Sequence, residues 1–174
     1  MAANFGPVMQ LGFVVPDLER AMRHWLEKVG IGPFLVLEHV KFAQVLHRGQ
    51  PTDIDMSVGL AQWGEVQVEL IQQFNDAPSI YTDFPGRKQG GLQHVGVMTE
   101  SVADDLVRLQ ARGIEPVQQG HTGTGIRFAY LDTDEHPGGM IELIESGPAI
   151  VGFFQLVRDS ARSWDGRDPI RRMR

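Results

Sequence analysis

The chain contains no cysteine. Disulfides and thiolate metal sites are thereby excluded, and the compartment is left open, with the cytoplasm as the expectation. Positive charge is also short: 16 Lys and Arg stand against 22 Asp and Glu, a formal net charge of −6. That balance argues against nucleic acid or an anionic membrane as partner. No stretch approaches the roughly 20 apolar residues of a membrane span. The opening "MAANFGPVMQ" lacks the basic start and apolar core of a signal peptide. By elimination, the expected partners are a small-molecule substrate and other proteins.

What is present is a chain of 174 residues, 42% hydrophobic, enough for one compact domain or two small fused modules. "GPVMQLGFVV" reads as a strand, stopped by Pro16 and Asp17, and Asp17 is placed to cap a helix. "LERAMRHWLEKVG" follows, with Leu18, Met22, Trp25, Leu26 and Val29 at helical spacing and Gly30 at its end. Three strand-like stretches come next, "PFLVLEHV", "DIDMSVGLAQW" and "EVQVELIQQF". A loop with Pro78, Pro85 and Gly86 breaks the pattern, with one helical turn expected at "PSIYTDF".

The pattern then restarts. "GLQHVGVM" is a strand, Ser101 caps "VADDLVRLQARG", and "IEPVQQG", "IRFAYLDT" and "GMIELIES" are strand-like. Each half reads β-α-β-β-β, an internal repeat of pattern rather than of identity. Gln10 and His94 hold the same place in their halves, each two residues before a glycine, and Asp17 and Ser101 share that offset. Glu69 in "VELI" and Glu142 in "IELI" both fall in the fourth strand of their half. The expected division is 7–75 for the first module, 76–90 for the connecting loop, 91–146 for the second module and 147–174 for a C-terminal helix and tail.

Gln10, Glu69, His94 and Glu142 are polar residues on strand faces that are otherwise apolar. Side chains alternate along a strand, so Glu69 shares a face with Gln67 and Ile71, and Glu142 with Met140 and Ile144. His94 falls with Leu92, Gly96 and Met98, and Gln10 with Val8, Gly12 and Val14. A carboxylate buried on such a face is paired or metal-bound. Two carboxylates balance a divalent cation, and a neutral His and Gln complete a set of one nitrogen and three oxygens. That set suits Zn, Ni, Co or Mn. An ion accepting five or six ligands keeps positions for water or substrate.

Aromatic and histidine side chains near these strands are the candidate pocket residues: Tyr81 foremost, with Tyr130, Trp63, His47 and Phe84. His121, in the Gly-rich "QGHTGTGI", reads as a turn, and no Lys-Ser/Thr follows to make a phosphate loop. His136 in "DTDEHPGG" also reads as a turn residue. After Gly147, "FFQLVRDSARSW" forms an amphipathic helix with Phe153, Phe154, Leu156, Val157 and Ala161 on its apolar side. "DGRDPIRRMR" reads as a turn-rich, solvated basic end.

Taken together, "MQLGFVVPDLERAM", "VELIQ", "GLQHVGV" and "DTDEHPGGMIELIE" resemble the vicinal oxygen chelate superfamily, over about residues 7 to 146. The ligand set Gln, Glu, His, Glu resembles that of glyoxalase I, and "PSIYTDF" before "GLQHVGV" resembles proteins near methylmalonyl-CoA epimerase. The resemblance implies an α+β fold of two paired βαβββ modules (the glyoxalase/bleomycin-resistance fold). They form a cupped sheet around a metal site, followed by a C-terminal helix. It implies a metal-dependent lyase, isomerase or epimerase acting on a small carbonyl or thioester substrate through a metal-stabilised enolate. Glu142 is the implied proton-transfer base, with Glu69 as ligand and second base. A homodimer is expected, with the site either within one chain or across the pair. Two positions depart from glyoxalase I: Val14 stands for an arginine and Gln73 for an asparagine, so a glutathione hemithioacetal is not the expected substrate. The alternatives are a metal-free ligand-sequestering protein of the same fold and an extradiol-type dioxygenase. The intact quartet speaks against the first and Gln10 against the second.

Overall fold

Strand β1 (Val8–Val14) begins the first repeat and ends before Asp17, whose carboxylate accepts from the Arg20 backbone N–H at 2.9 Å. Helix α1 (Leu18–His24) follows and continues as a π-helical turn over Trp25–Val29, ended by Gly30 at φ 78°. The wider turn shifts the helical register, so Leu18 and Met22 are buried as expected while Val29 faces solvent. The structure, a computed structural model, describes residues 5–132 and 139–173. His136 lies outside them.

Then come β2 (Phe34–Leu37), β3 (Phe42–His47), β4 (Gln50–Pro51), β5 (Met56–Trp63), β6 (Val66–Gln73) and the helical turn α2 (Ile80–Asp83). The second repeat is β7 (Gly91–Thr99), α3 (Val102–Gln110, capped by Ser101), β8 (Pro116–Thr122), β9 (Arg127–Leu131) and β10 (Met140–Glu145). Helix α4 (Pro148–Arg162) and β11 (Ile170–Arg172) close the chain.

All strands belong to one sheet, ordered β11-β2-β5-β6-β1-β7-β10-β9-β8-β3-β4. The centre of this order is a pseudo-twofold. β1 and β7 pair antiparallel, and each repeat's first strand lies parallel to its last, β1 with β6 and β7 with β10. The chain is thus an α+β protein built of two βαβββ modules.

The sheet must curl. β2 and β3 are eight strand positions apart, about 38 Å if the sheet were flat. Only residues 38–41 join them, and the step from Leu37 to Phe42 reaches at most about 18 Å. The connection therefore crosses the mouth of a cup, and Val40 donates to the Met56 carbonyl of β5 at 2.8 Å on the way. The β3–β4 hairpin was not expected from the sequence. It is an insertion of the first repeat that pairs with β8 of the second, Leu46 opposite Gln119.

Helices α1 and α3 cover the outer face. Leu18 and Met22 pack on Phe34, Val68 and Leu70, and Val102 and Leu109 pack on Val97, Ala129 and Leu143. The inner face carries a third core with Val58, Leu60, Ile71, Tyr81, Phe128, Tyr130 and Ile144, closed by Phe154 and Val157 of α4. The C-terminal helix thus packs on the body of its own chain. Leu156, expected on its apolar side, is 44% exposed. The basic end is not simply solvated turn: β11 adds to the sheet beside β2, Arg171 opposite Leu35. Arg172 pairs with Glu38 and Glu19.

Candidate metal centre

Strand register assembles the site. Glu69, Gly12 and His94 are cross-strand neighbours on β6, β1 and β7. Two residues along β1, Gln10, Gly96 and Glu142 are neighbours on β1, β7 and β10, and Tyr130 continues the row on β9. Cross-strand partners share a face, as do residues two apart. All four candidate ligands therefore stand on the inner face of one chain. The fourth strands reach the centre because each lies parallel to its module's first strand.

Two expected facial assignments change. Val8, expected on the face of Gln10, lies opposite the outward-facing Val97 after a register slip between Val8 and Gln10. The β1–β7 register slips between the Gly12–His94 and Phe13–Leu92 pairs, so Gln93 is an extra residue. Gln93 and His94 are both buried, whereas Leu92, expected on the face of His94, is 39% exposed.

The bulge has a chemical consequence. His94 Nδ1 lies 2.7 Å from Gln93 Oε1, and the Gln93 amide nitrogen is 2.9 Å from Met140 Sδ. The Gln93 oxygen accepts only from an N–H, so the imidazole proton sits on Nδ1. Nε2 faces the carboxylates of Glu142 at 3.4 Å and Glu69 at 3.5 Å, with no hydrogen-bond partner. Gln10 is held likewise: its Nε2 donates to Gln67 Oε1 at 3.3 Å, and its Oε1 is buried without a partner. Gln93 and Gln67 were absent from the sequence-derived site. Their signal was their position, Gln93 one residue from His94 and Gln67 two residues from Glu69, on strands otherwise rich in valine.

These groups fit a divalent ion. Ligand atoms of Glu69, His94 and Glu142 all lie within 4.8 Å of one another. Donors at about 2.1 Å from one ion stand roughly 3–3.4 Å apart, close to the separations here. The orphaned Nε2 and the orphaned amide oxygen are both lone-pair donors, and the set contains no sulfur.

The electrostatics favour the same reading. Burial alone would lower the His94 pKa, but the Glu142 and Glu69 carboxylates override it and raise it to about 9. Burial raises the Glu69 carboxyl above its ordinary range, opposed by the neighbouring His94 and reinforced by the charge of Glu142. Without a cation, the cluster compensates by holding a proton.

Beyond the ligands the cup holds a cavity of about 330 Å³, within the range of small-molecule sites. Gln10, Glu69, Glu142, Tyr81 and Tyr130 form its polar end. Tyr81 and Tyr130 are the chain's only tyrosines, and their hydroxyls are 3.0 Å apart. Burial, with the charges of Glu142 and Glu69, raises both phenols well above their usual range, so they remain neutral donors. The Tyr130 ring packs edge-on against His94 at 5.1 Å.

The other sequence-derived pocket residues lie elsewhere. Trp63 is 52% exposed and packs against Trp25 at 6.0 Å. Its strand has run past the cup by that point. His47 is buried on β3, bonded to Asp83 at 3.1 Å, and does not line the cavity. Phe84 packs against the inner core without reaching the cavity. The end of β8 and the turn after it contribute Thr122 and Thr124 to the cavity rather than His121. Helix α4 contributes Ala149, Ile150, Phe153 and Phe154.

Residues 9–130 match the Glyoxalase/Bleomycin resistance protein/Dioxygenase superfamily. The chain belongs to this superfamily. No curated protein matches it. Among solved structures, methylmalonyl-CoA epimerase from Mycobacterium tuberculosis superposes with a TM-score of 0.58 at 17% identity, over 87% of this chain and 97% of that one. A hypothetical protein from Bacillus halodurans gives 0.57 at 14%, over 81% and 94%. Streptomyces coelicolor methylmalonyl-CoA epimerase in complex with 2-nitronate-propionyl-CoA gives 0.56 at 13%, over 83% and 96%. At these identities the likeness is one of fold. Among the described residues no helix is long and apolar enough to cross a membrane.

Proposed function

We propose that the protein is a divalent-metal-dependent enzyme that moves a proton on the carbon next to a carbonyl, as an isomerase, epimerase or lyase. The observation that carries this reading is the pair of orphaned donors, His94 Nε2 and Gln10 Oε1, buried beside two carboxylates. With the imidazole neutral, both atoms present lone pairs that no donor meets and a bound cation would take up; without a cation the cluster holds a proton on His94 instead.

Gln10, Glu69, His94 and Glu142 would hold the ion, all from one chain, so the site needs no second subunit. When bound, the ion would supply Lewis-acid stabilisation of negative charge on substrate oxygen, in the manner of Zn, Ni, Co or Mn. The chain's own residues supply the rest. Glu142 lines the cavity and is the proton-transfer base, with Glu69 on the other side of His94 as the second. Two carboxylates flanking one carbon permit removal of a proton from one face and return to the other. Of the Tyr81–Tyr130 pair, kept neutral, one hydroxyl donates to the other, and the accepting hydroxyl is left with its own proton to donate toward oxygen at the polar end. The apolar wall and α4 exclude water.

Elemental analysis of untagged protein beside Glu142→Ala tests the reading. About one divalent metal per chain, reduced in the variant, supports it. With the metal supplied, deuterium exchange at the carbon next to the carbonyl of a ketone substrate, lost in Glu142→Gln, assigns the base. Protein that refuses added Zn, Ni, Co and Mn would sink the proposal and leave a metal-free ligand-binding protein.

A further inference from the structure

The cavity wall carries information about the substrate that the metal centre does not. Its carboxylates, amide and phenols stand together at one end, on Gln10, Glu69, Glu142, Tyr81 and Tyr130. The remaining wall is aliphatic and aromatic, with Met56 and Val58 on one side, Phe128 opposite and Phe153 on α4. Only the hydroxyls of Thr122 and Thr124 interrupt it.

Among the described lining residues there is no lysine, arginine or histidine. The nearest cations by sequence are turned away. Arg127 sits between the lining residues Ile126 and Phe128, but its side chain lies on the outer face, 3.8 Å from Glu145. Lys41 sits between the lining residues Val40 and Phe42 and is exposed. Residues 133–138 contain no lysine or arginine either.

We infer that the site takes an uncharged, largely apolar carbonyl compound, such as an aryl or branched-alkyl hydroxyketone, rather than an acyl-CoA or a substrate bearing its own carboxylate. The inference rests on the proposed metal-dependent reading of the site and deepens it. The two site carboxylates of Glu69 and Glu142 already balance a divalent ion, so no positive charge is left for an anionic substituent. A carboxylate or phosphate on the far part of the substrate would lose its hydration in a cavity that already holds Glu69 and Glu142 and would meet no lysine or arginine among the described lining residues. An apolar substituent instead fills the wall and gains by leaving water. The epimerase neighbours act on methylmalonyl-CoA, which carries both a carboxylate and phosphates. The shared fold therefore does not carry their substrate class to this chain.

The test is calorimetric binding to the full chain, with metal content measured on the same preparation. The probes are 2-hydroxyacetophenone, its 4-carboxylate and methylmalonyl-CoA. The neutral ketone should bind about tenfold or more tightly than its carboxylate. Phe153→Lys, placed on the partly buried side of α4, should narrow or reverse that preference while metal content and the melting temperature hold. Equal or tighter binding of the carboxylate or of methylmalonyl-CoA overturns the inference, as does failure of the neutral ketone to bind. A chain that binds metal yet prefers the anions overturns the substrate class alone. A chain that takes up no metal but still prefers the neutral ketone retains the substrate class and overturns the enzyme reading.

Discussion

Gly12 lies directly beneath the imidazole of His94. A Cβ at Gly12 would stand 2.0 Å from His94 Cε1 and 2.1 Å from Nε2. The opposite repeat mirrors this: a Cβ at Gly96 would stand 3.0 Å from Gln10 Oε1. Each module's glycine makes room for the ligand of the other module. That explains why both halves place a glycine two residues after the polar residue of their first strand.

Gly12→Ala should therefore displace His94, whose imidazole is fully buried and pinned by Gln93 and Tyr130. Overpacking of this kind costs about 1–3 kcal/mol. The larger effect should be on metal affinity, about tenfold or more, because a misplaced ligand loses its bond. Gly96→Ala should act in the same direction and less. Denaturant unfolding and metal titration of the two variants check the order. Gly12→Ala with wild-type metal affinity would contradict the geometry.

Much of this site was legible in the sequence, for a physical reason. Strand alternation and the repeat place Gln10, Glu69, His94 and Glu142 on one face, and both features are visible in one dimension. What was not legible depended on chain crossings or on local irregularity. The β3–β4 hairpin pairs with β8, far away in sequence, and nothing in "KFAQVLHRGQPT" names that partner. The bulge at Gln93 moved Leu92 outward, and the glycines that precede it, Gly90 and Gly91, read equally well as the start of a regular strand. β11 is a short edge strand whose arginines disguise it. Residue type alone points to Trp63 and His47, and residue type does not say which side of a curled sheet a side chain ends on. The stripe Phe153, Phe154, Leu156, Val157, Ala161 on α4 did foretell a covered face, Leu156 apart, though not that the face would roof the cavity.

The proton on His94 should leave when metal arrives. In the metal-free protein the imidazole pKa is raised to about 9, so it is protonated at pH 7, whereas a ligand must be neutral. Metal binding near neutrality should thus release a proton, seen as a buffer-dependent calorimetric enthalpy, and affinity should rise with pH until about 9. Because the folded pKa is raised, the linked stability is fully present below the unfolded value of about 6.5. It is lost as pH rises through about 9 and amounts to at most ~3 kcal/mol. The metal-free protein should therefore unfold more easily at pH 9.5 than at pH 6. His94→Gln should flatten that slope. A flat profile in the wild-type apo protein would refute the assignment.

The tyrosine pair offers a test independent of activity. Tyr81 and Tyr130 hydroxyls satisfy each other at 3.0 Å in a buried setting. Removing one leaves the other unpartnered, a loss of about 1–3 kcal/mol. Tyr81→Phe and Tyr130→Phe should each destabilise by that order, and the double variant should lose less than the sum. A double-mutant cycle by denaturant unfolding measures the coupling. Tyr130→Phe should also slow turnover with little change in metal content, because Tyr130 neighbours Glu142 across the strands without being a ligand.

Helix α4 separates wall from ligands. Phe154 is 4% exposed and packs with Val157 over the inner core, yet no candidate ligand comes from α4. Phe154→Ala removes a buried ring, a change that costs about 3–5 kcal/mol in a closed core. Here the ring already borders a cavity on one side, so the lower end, about 3 kcal/mol, is expected. Metal content should stay near wild type, since β1, β6, β7 and β10 hold the ligands without help from the helix. Binding of an apolar ketone should weaken several-fold, because the wall that excludes water has been opened. Loss of metal in a variant that remains folded would place α4 in the metal centre itself rather than over it.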